Sequence, residues 1–229
     1  MRFVGDIAED AEVRAIASGA ITDGEPVIVN STGTVSGVTD AISLTLGSET
    51  EYSSDASNYN RVAFDSNSNR IVIAHKNGSN SNGTATVGSV SGTSVTFGTT
   101  VAFDSSGEAE FYGIAFDSNS NKIVIAYRDT TDSNKGKAVV GTVDPSDNSI
   151  SFGSEATFTT NNAVYIDACF DSSTNKVVIS YTDFGNSGHG TAVVATVSGT
   201  SISFGTPVVF NSANTAHPRC VYDSDEQRV

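Results

Sequence analysis

Between residues 112 and 158 the apolar positions fall into four short runs, each closed by a cluster of Ser, Asn, Asp or Gly. Residues 112–117 form the first run and stop at Ser118-Asn119-Ser120-Asn121, side chains that tolerate left-handed backbone and make tight turns. The second run, 122–127 (Lys-Ile-Val-Ile-Ala-Tyr), is apolar without alternation, the pattern of a strand covered on both faces. A polar loop, 128–136, leads to a third run at 137–143, and the turn 144–148 leads to a fourth at 150–158. The prediction is four antiparallel strands in about fifty residues, with both faces of the sheet buried.

The same pattern recurs. Phe-Gly pairs end at Gly98, Gly153 and Gly205, with a degenerate Leu46-Gly47 before them, at spacings of 51, 55 and 52 residues. The triplets Phe64-Asp65-Ser66, Phe116-Asp117-Ser118, Phe170-Asp171-Ser172 and Tyr222-Asp223-Ser224 are spaced 52, 54 and 52. Two independent markers keeping one period identify an array of one repeated unit. The fold class expected is all-β: a β-propeller-like array of four-stranded antiparallel repeats of about 52 residues. A β-solenoid, whose repeats are usually shorter, and a string of small sandwiches, which need more strands per unit, are the alternatives.

Domain organisation follows from where the markers start and stop. Residues 1–25 read as an N-terminal arm or attachment segment, 26–58 as an outer half-blade, and 59–229 as propeller repeats with the last incomplete. Within 15–38, strands joined by Asp23-Gly24 and Ser31-Thr32-Gly33 turns are expected. Val229 aligns with Ile71, Ile123 and Val177, so truncation inside a repeat is expected. Cys169 aligns with Ala63 and Ala115, whereas Cys220 aligns with Val62 and Ile114. Because side chains alternate along a strand, this one-residue offset predicts thiols that do not face each other and remain free and buried.

Charge narrows the function classes. With 26 acidic against 12 basic residues, the net charge of −14 repels nucleic acid and anionic membrane, so neither is expected as a partner. No run is apolar enough to span a bilayer as a helix. The opening residues are acidic where a signal peptide needs a basic region before an apolar run, so secretion by that route is not expected.

In a four-stranded meander the connection from second to third strand lies beside the one from the fourth strand to the next repeat. The long loops 76–83, 128–136 and 182–190 should therefore converge with 105–110, 159–163 and 211–217, and polar loops on a rigid scaffold suit recognition. Lys76, Arg128, Asp129, Lys135, Asp183, His189 and His217 are the chemically capable members, and Tyr112 and Tyr165 could stack on a sugar ring. Asp65-Ser66-Asn67-Ser68-Asn69 and its copy at 117–121 have the spacing that opens calcium loops. They lack the following Gly and the distal Glu, so a hairpin capped by its Asp is expected and no metal site is assigned. A sialidase-type centre needs clustered Arg and Trp-bearing Asp boxes, whereas this chain has no Trp and scattered Arg. Asp129 and Asp183 could supply paired carboxylates, but repetition explains their alignment more simply. His75 occupies the in-strand position of Tyr127 and Tyr181, a packing position. No catalytic residue and no cofactor is expected.

The opening GDIAEDAEVRAIASGAITDGEPVIVNSTGTVSGV, with repeats of the type FDSNSNKIVIAYRD and GTAVVATVSGTSISFGTPVVF, resembles structural proteins of marine bacteriophages described as tail-fibre or virion proteins with propeller-like repeats. The resemblance extends over nearly the whole chain and implies a virion location and contact with a host-surface glycan or receptor. An acidic arm ahead of a rigid array suits attachment to other virion proteins, and a homo-oligomer is expected. A capsid or tail decoration protein with purely structural contacts, and a cellular lectin-like module, are the alternative readings.

Overall fold

The computed structural model describes residues 16–21, 27–37, 46–104 and 107–229. The arm before residue 15 and the Asp23-Gly24 turn lie outside the described residues. Two compact units divide the chain, Met1–Leu46 and Gly47–Val229. In the first, β1 (Val27–Val29) and β2 (Val35–Gly37) pair antiparallel. Their connection is the Ser31-Thr32-Gly33 turn, where Gly33 has φ +80°.

The second unit is all-β and antiparallel. Strands β3 (Ser57–Asp65), β4 (Arg70–Asn77), β5 (Gly83–Ser91), β6 (Ser94–Phe97) and β7 (Val101–Asp104) form a five-stranded sheet in the order β3-β4-β5-β6, with β7 also on β5. The next set is β8 (Ala109–Asp117), β9 (Lys122–Asp129), β10 (Lys135–Asp144), β11 (Ser149–Phe152) and β12 (Ala156–Asp171). The last is β13 (Lys176–Asp183), β14 (His189–Ser198), β15 (Ser201–Phe204) and β16 (Val208–Asn214), with a single 3-10 turn at Phe184–Asn186. These two sets join into nine strands because β12 pairs with β10 through its first half and with β13 through its second. The shared strand curls the sheet, so that β12–β14 pack over the face of β8–β10.

The turn after the first strand of each repeat is closed by the aspartate of the repeated triplet. The Asp65 and Asp117 carboxylates each accept two backbone N–H bonds, at 2.9 and 3.1 Å, and a serine hydroxyl at 2.7 Å. Asp171 and Asp223 accept backbone N–H groups in the same way. Asn69, Asn121, Asn175 and Gln227 close these turns at φ between +52° and +56°. The D-x-N-x-N segments are thus hairpin caps whose oxygens are engaged by their own turn.

Alternate residues of β9 serve two cores. Ile123, Ile125 and Tyr127 point back to Val72, Ala74, Ala85 and Val87, whereas Val124 and Ala126 point forward to Val177, Ile179 and Tyr181. A small face meets a large face at both interfaces, which lets bulky residues interdigitate without voids. Phe103 lies 5.2 Å from Tyr127 between ring centroids, and Phe158 lies 5.2 Å from Tyr181. Space for these phenyl rings comes from Gly83 and Gly136, where a side chain would collide with them.

The fourth strand of each repeat is not continuous as its sequence predicts. It breaks into β6 and β7, into β11 and the start of β12, and into β15 and β16. The break falls at the marker glycine, because a β-carbon on Gly98 would strike the Asn148 carbonyl and one on Gly153 the Thr200 carbonyl. Gly47 stands in the same relation to Thr93, so every one of these glycines lies against the tight turn of the following repeat. At Gly205 the nearest atom to such a carbon is the Val194 oxygen at 3.6 Å.

Gly98→Ala and Gly153→Ala are therefore expected to cost about 1–3 kcal/mol each, as overpacking against rigid backbone does. Gly205→Ala should stay within about 0.5 kcal/mol. Urea unfolding of the three variants checks the contrast, and equal losses at all three sites would refute the packing assignment.

Candidate functional site

The long loops meet through hydrogen bonds at one end of the sheets. Thr130 N–H donates to the Glu108 carbonyl at 3.0 Å, Ala163 N–H to Asn134 at 3.3 Å, and Thr215 N–H to Gly188 at 2.9 Å. Lys76, Arg128 and Thr182 occupy one repeat position, and each reaches the repeat that follows. Lys76 Nζ lies 3.1 Å from Glu110 and 3.7 Å from Glu108. Arg128 donates to Glu110 and, at 3.3 Å, to Asn162, while the Thr182 hydroxyl donates to the Thr215 carbonyl at 2.7 Å. Glu110 thus bridges two cations. Partial burial pushes its pKa up, but its bonds to Lys76 and Arg128 outweigh that and hold it below the usual carboxylate range.

Beside this bridge runs a file of rings. Strands β3, β8 and β12 each carry one extra residue opposite the second strand of their hairpin. Tyr59, Phe111 and Tyr165 sit in these bulges at φ of +56°, +55° and +53°, and His217 takes φ +51° at the fourth equivalent position. Successive ring centroids are 5.2, 5.3 and 3.9 Å apart. Arg128 caps the file with its guanidinium carbon 4.6 Å from the Phe111 centroid, within cation–π range. Bulky residues in left-handed backbone cost about 1–3 kcal/mol each, so the surrounding fold must hold them there. Tyr59 and His217 are exposed, and Phe111 and Tyr165 are half-buried.

Several of the residues expected from sequence have other duties. Tyr112 is fully buried and gives its hydroxyl to the Ala109 carbonyl at 2.8 Å, so the partner of Tyr165 in the file is Phe111. The bulge turns Phe111 outward and Tyr112 inward, which reverses the expectation. Asp129 is buried and accepts from Thr131 and Asp132 N–H at 2.9 and 3.0 Å, while Asp183 accepts from Gly185 N–H at 2.9 Å and Asn161 at 3.0 Å. Both carboxylates cap the loops that follow them and are not presented as a pair. Lys135 is tied to Asp132 at 2.8 Å, and His189 lies half-buried in the strand register opposite Asp183. Lys76, Arg128, Tyr165 and His217 are the members that do come together.

Asp104, Asp129 and Glu155 offer carboxylate oxygens within 4.8 Å of one another. Lys137 supplies the positive charge there, at 2.8 Å from Asp129 and 2.7 Å from Glu155, with Tyr127 donating to Glu155 at 2.7 Å. Burial pushes the Lys137 pKa down, but these carboxylates more than reverse it and raise it above its ordinary value. Burial likewise works upward on Asp129 and is overcome, chiefly by Lys137, so that its pKa is lowered. An ammonium held by these carboxylates makes the cluster a buried ion network. Lys137 stands where the neighbouring repeats have Thr84 and Thr191, which is why periodicity does not reveal it.

The two thiols also depart from expectation. Both are free and half-buried, but they share one ladder position: the Cys220 sulfur lies 3.7 Å from the carbonyl of Val178, the register partner of Cys169. The one-residue offset is the cause. In packed sheets the forward face of one repeat meets the backward face of the next, so Ala115 joins one core with Ala168, and Ala63 joins another with Ile114. Cys169 and Cys220 continue that series.

Comparison of the chain with protein families finds no match, and comparison with curated proteins finds none either.

Lys137→Ala should destabilise the protein by about 3 kcal/mol, because it strands buried Asp129 without its cation. Chemical denaturation reads the loss, and a change under about 1 kcal/mol would show the network to be dispensable. A pH effect follows from His75, which is fully buried and edge-on to Tyr52 at 5.1 Å. Burial lowers its pKa from the ordinary 6.5, against a smaller upward pull from the Ile73 backbone. The folded state therefore disfavours the proton, so stability is present above pH 6.5 and is lost as the pH falls below it. Urea midpoints between about pH 7 and pH 5 should fall for the parent protein and flatten in His75→Phe.

Proposed function

We propose that this chain is a non-enzymatic recognition module of a bacteriophage particle, whose repeats are blades of a propeller-like array offering one loop face to a host-surface glycan or protein. The observation that carries the reading is the file of Tyr59, Phe111, Tyr165 and His217, one ring per repeat in strained backbone beside the Lys76–Glu110–Arg128 bridge. Strain kept at the same place in four repeats is a mark of functional constraint. Aromatic faces and edges beside charged groups suit a sugar ring with its hydroxyls. The propeller arrangement is supported by Arg61, Asp167 and Arg219, one position in three repeats, which lie close enough for their charges to act on one another. A non-enzymatic role is supported by Asp129 and Asp183, the carboxylates best placed for acid–base work, which hold turns instead.

Attachment to other virion proteins through the N-terminal segment and homo-oligomer formation complete this reading. A decoration role with purely structural contacts is favoured by one further observation. Val62 and Phe64 on β3 are 59% and 54% exposed, an apolar strip suited to another protein.

On a glycan array and on host cells, the chain should bind, and Tyr59→Asn with Tyr165→Asn should weaken binding about tenfold or more. Asparagine accepts the left-handed backbone, so fold and ring loss are separated. Antibody labelling of particles should mark the tail or fibres. Unaltered binding by the double variant would defeat the ring assignment, and label spread over the head would favour decoration.

A further inference from the structure

We propose that Cys169 and Cys220 form a reversible disulfide that pins the final segment of the chain to the hairpin β12–β13. Cys169 pairs in register with Val178, and the Cys220 sulfur lies 3.7 Å from the Val178 carbonyl, which puts both thiols over one ladder position. The Cys220 N–H bonds the carboxylate of Asp167, two residues before Cys169 and on the same face of the strand, which sets position 220 over the Cys169 side of the sheet. The segment after β16 has little ladder bonding of its own. It is held to the sheet by the Cys220 N–H bond to Asp167 at 3.1 Å, the Cys220 sulfur at Val178, the His217 ring on Tyr165 and the contacts of Thr215, while the Asp223–Arg228 bridge is internal to it. A covalent link at position 220 therefore acts where the backbone is least restrained.

Access and reactivity both fall on Cys220. It lines a cavity of about 400 Å³ with Val178, Ser180, Phe210 and Arg219, open to a small disulfide and carrying one guanidinium. The hydrogen bond from Cys169 lowers the Cys220 pKa against its burial and raises that of Cys169, so Cys220 is the attacking sulfur. With glutathione disulfide as oxidant, the Cys220 thiolate attacks one glutathione sulfur and expels the other as a thiolate. Cys169 then loses its proton to solvent and attacks the Cys220 sulfur of the mixed disulfide, expelling the second glutathione thiolate. One protein disulfide forms, and one glutathione disulfide becomes two thiols.

The test equilibrates the native full chain in glutathione buffers of graded ratio, then reads free thiols, intact mass, a non-reducing peptide map and Tm. The expected result is loss of both thiols, a mass lower by two hydrogens, a peptide joining Cys169 to Cys220, and a Tm higher by about 10 °C. In Cys169→Ser the reaction should stop with glutathione held on Cys220 and no rise in Tm. Persistent free thiols, a stable mixed disulfide in the parent protein, or a cross-link between two chains would each overturn the proposal. The parent measurements decide it even if a serine variant fails to fold.

Discussion

Everything in the larger unit depends on how one repeat meets the next. A sheet of this kind cannot be stable by itself, because Ile123, Ile125 and Tyr127 on one face and Val124 and Ala126 on the other are all apolar. The solution is a fixed polarity of packing, large face onto small face. Within each sheet, Phe103 and Phe158 lie across the bare backbone of Gly83 and Gly136 in the neighbouring strands β5 and β10. Glycine is used for close approach here, since a single added carbon would meet a ring or a carbonyl. Gly98 and Gly153 do the same job at the other edge, against the next tight turn.

That interface also explains the polar residues. At the loop end, cations from one repeat reach polar groups of the next, as Lys76 does at Glu110 and Arg128 at Asn162, while Glu110 also pairs with Arg128 inside its own hairpin. These bonds add direction to an otherwise non-directional apolar stack. The middle repeat goes further and buries Lys137 among Asp129 and Glu155, beneath the loop that Asp129 caps. Such a network fixes one arrangement because every alternative leaves a charge without its partner. The adjacent repeats have threonines there instead, and the Thr84 and Thr191 hydroxyls donate to the His75 and His189 carbonyls of their own sheets.

The ring file has a different origin. A bulge in β3, β8 and β12 forces Tyr59, Phe111 and Tyr165 into left-handed backbone, and His217 takes the same backbone at the fourth equivalent position. Small polar residues would take this backbone with less strain. The rings stack instead, and their edges remain open beside the charged bridge. Packing thus draws on the same four positions to which the proposed recognition face is assigned.

The sequence by itself determined the period, the all-β class, the hairpin turns and the in-strand packing role of His75, since these follow from local chemistry: an Asp two residues before the N–H it caps, or an apolar run with turn residues at its ends. The ring file was legible too, because an aromatic or His stands five residues before the Phe or Tyr of every triplet, although the eye falls first on Tyr112. Tertiary structure alone decided which of Phe111 and Tyr112 points outward, because a bulge shifts alternation by one and nothing local announces it. It also decided the split of the fourth strand, the single-copy Lys137 network and the meeting of the two cysteines. Each of these depends on contacts between segments distant along the chain, and alternation along one strand carries no information about what a neighbouring segment presents.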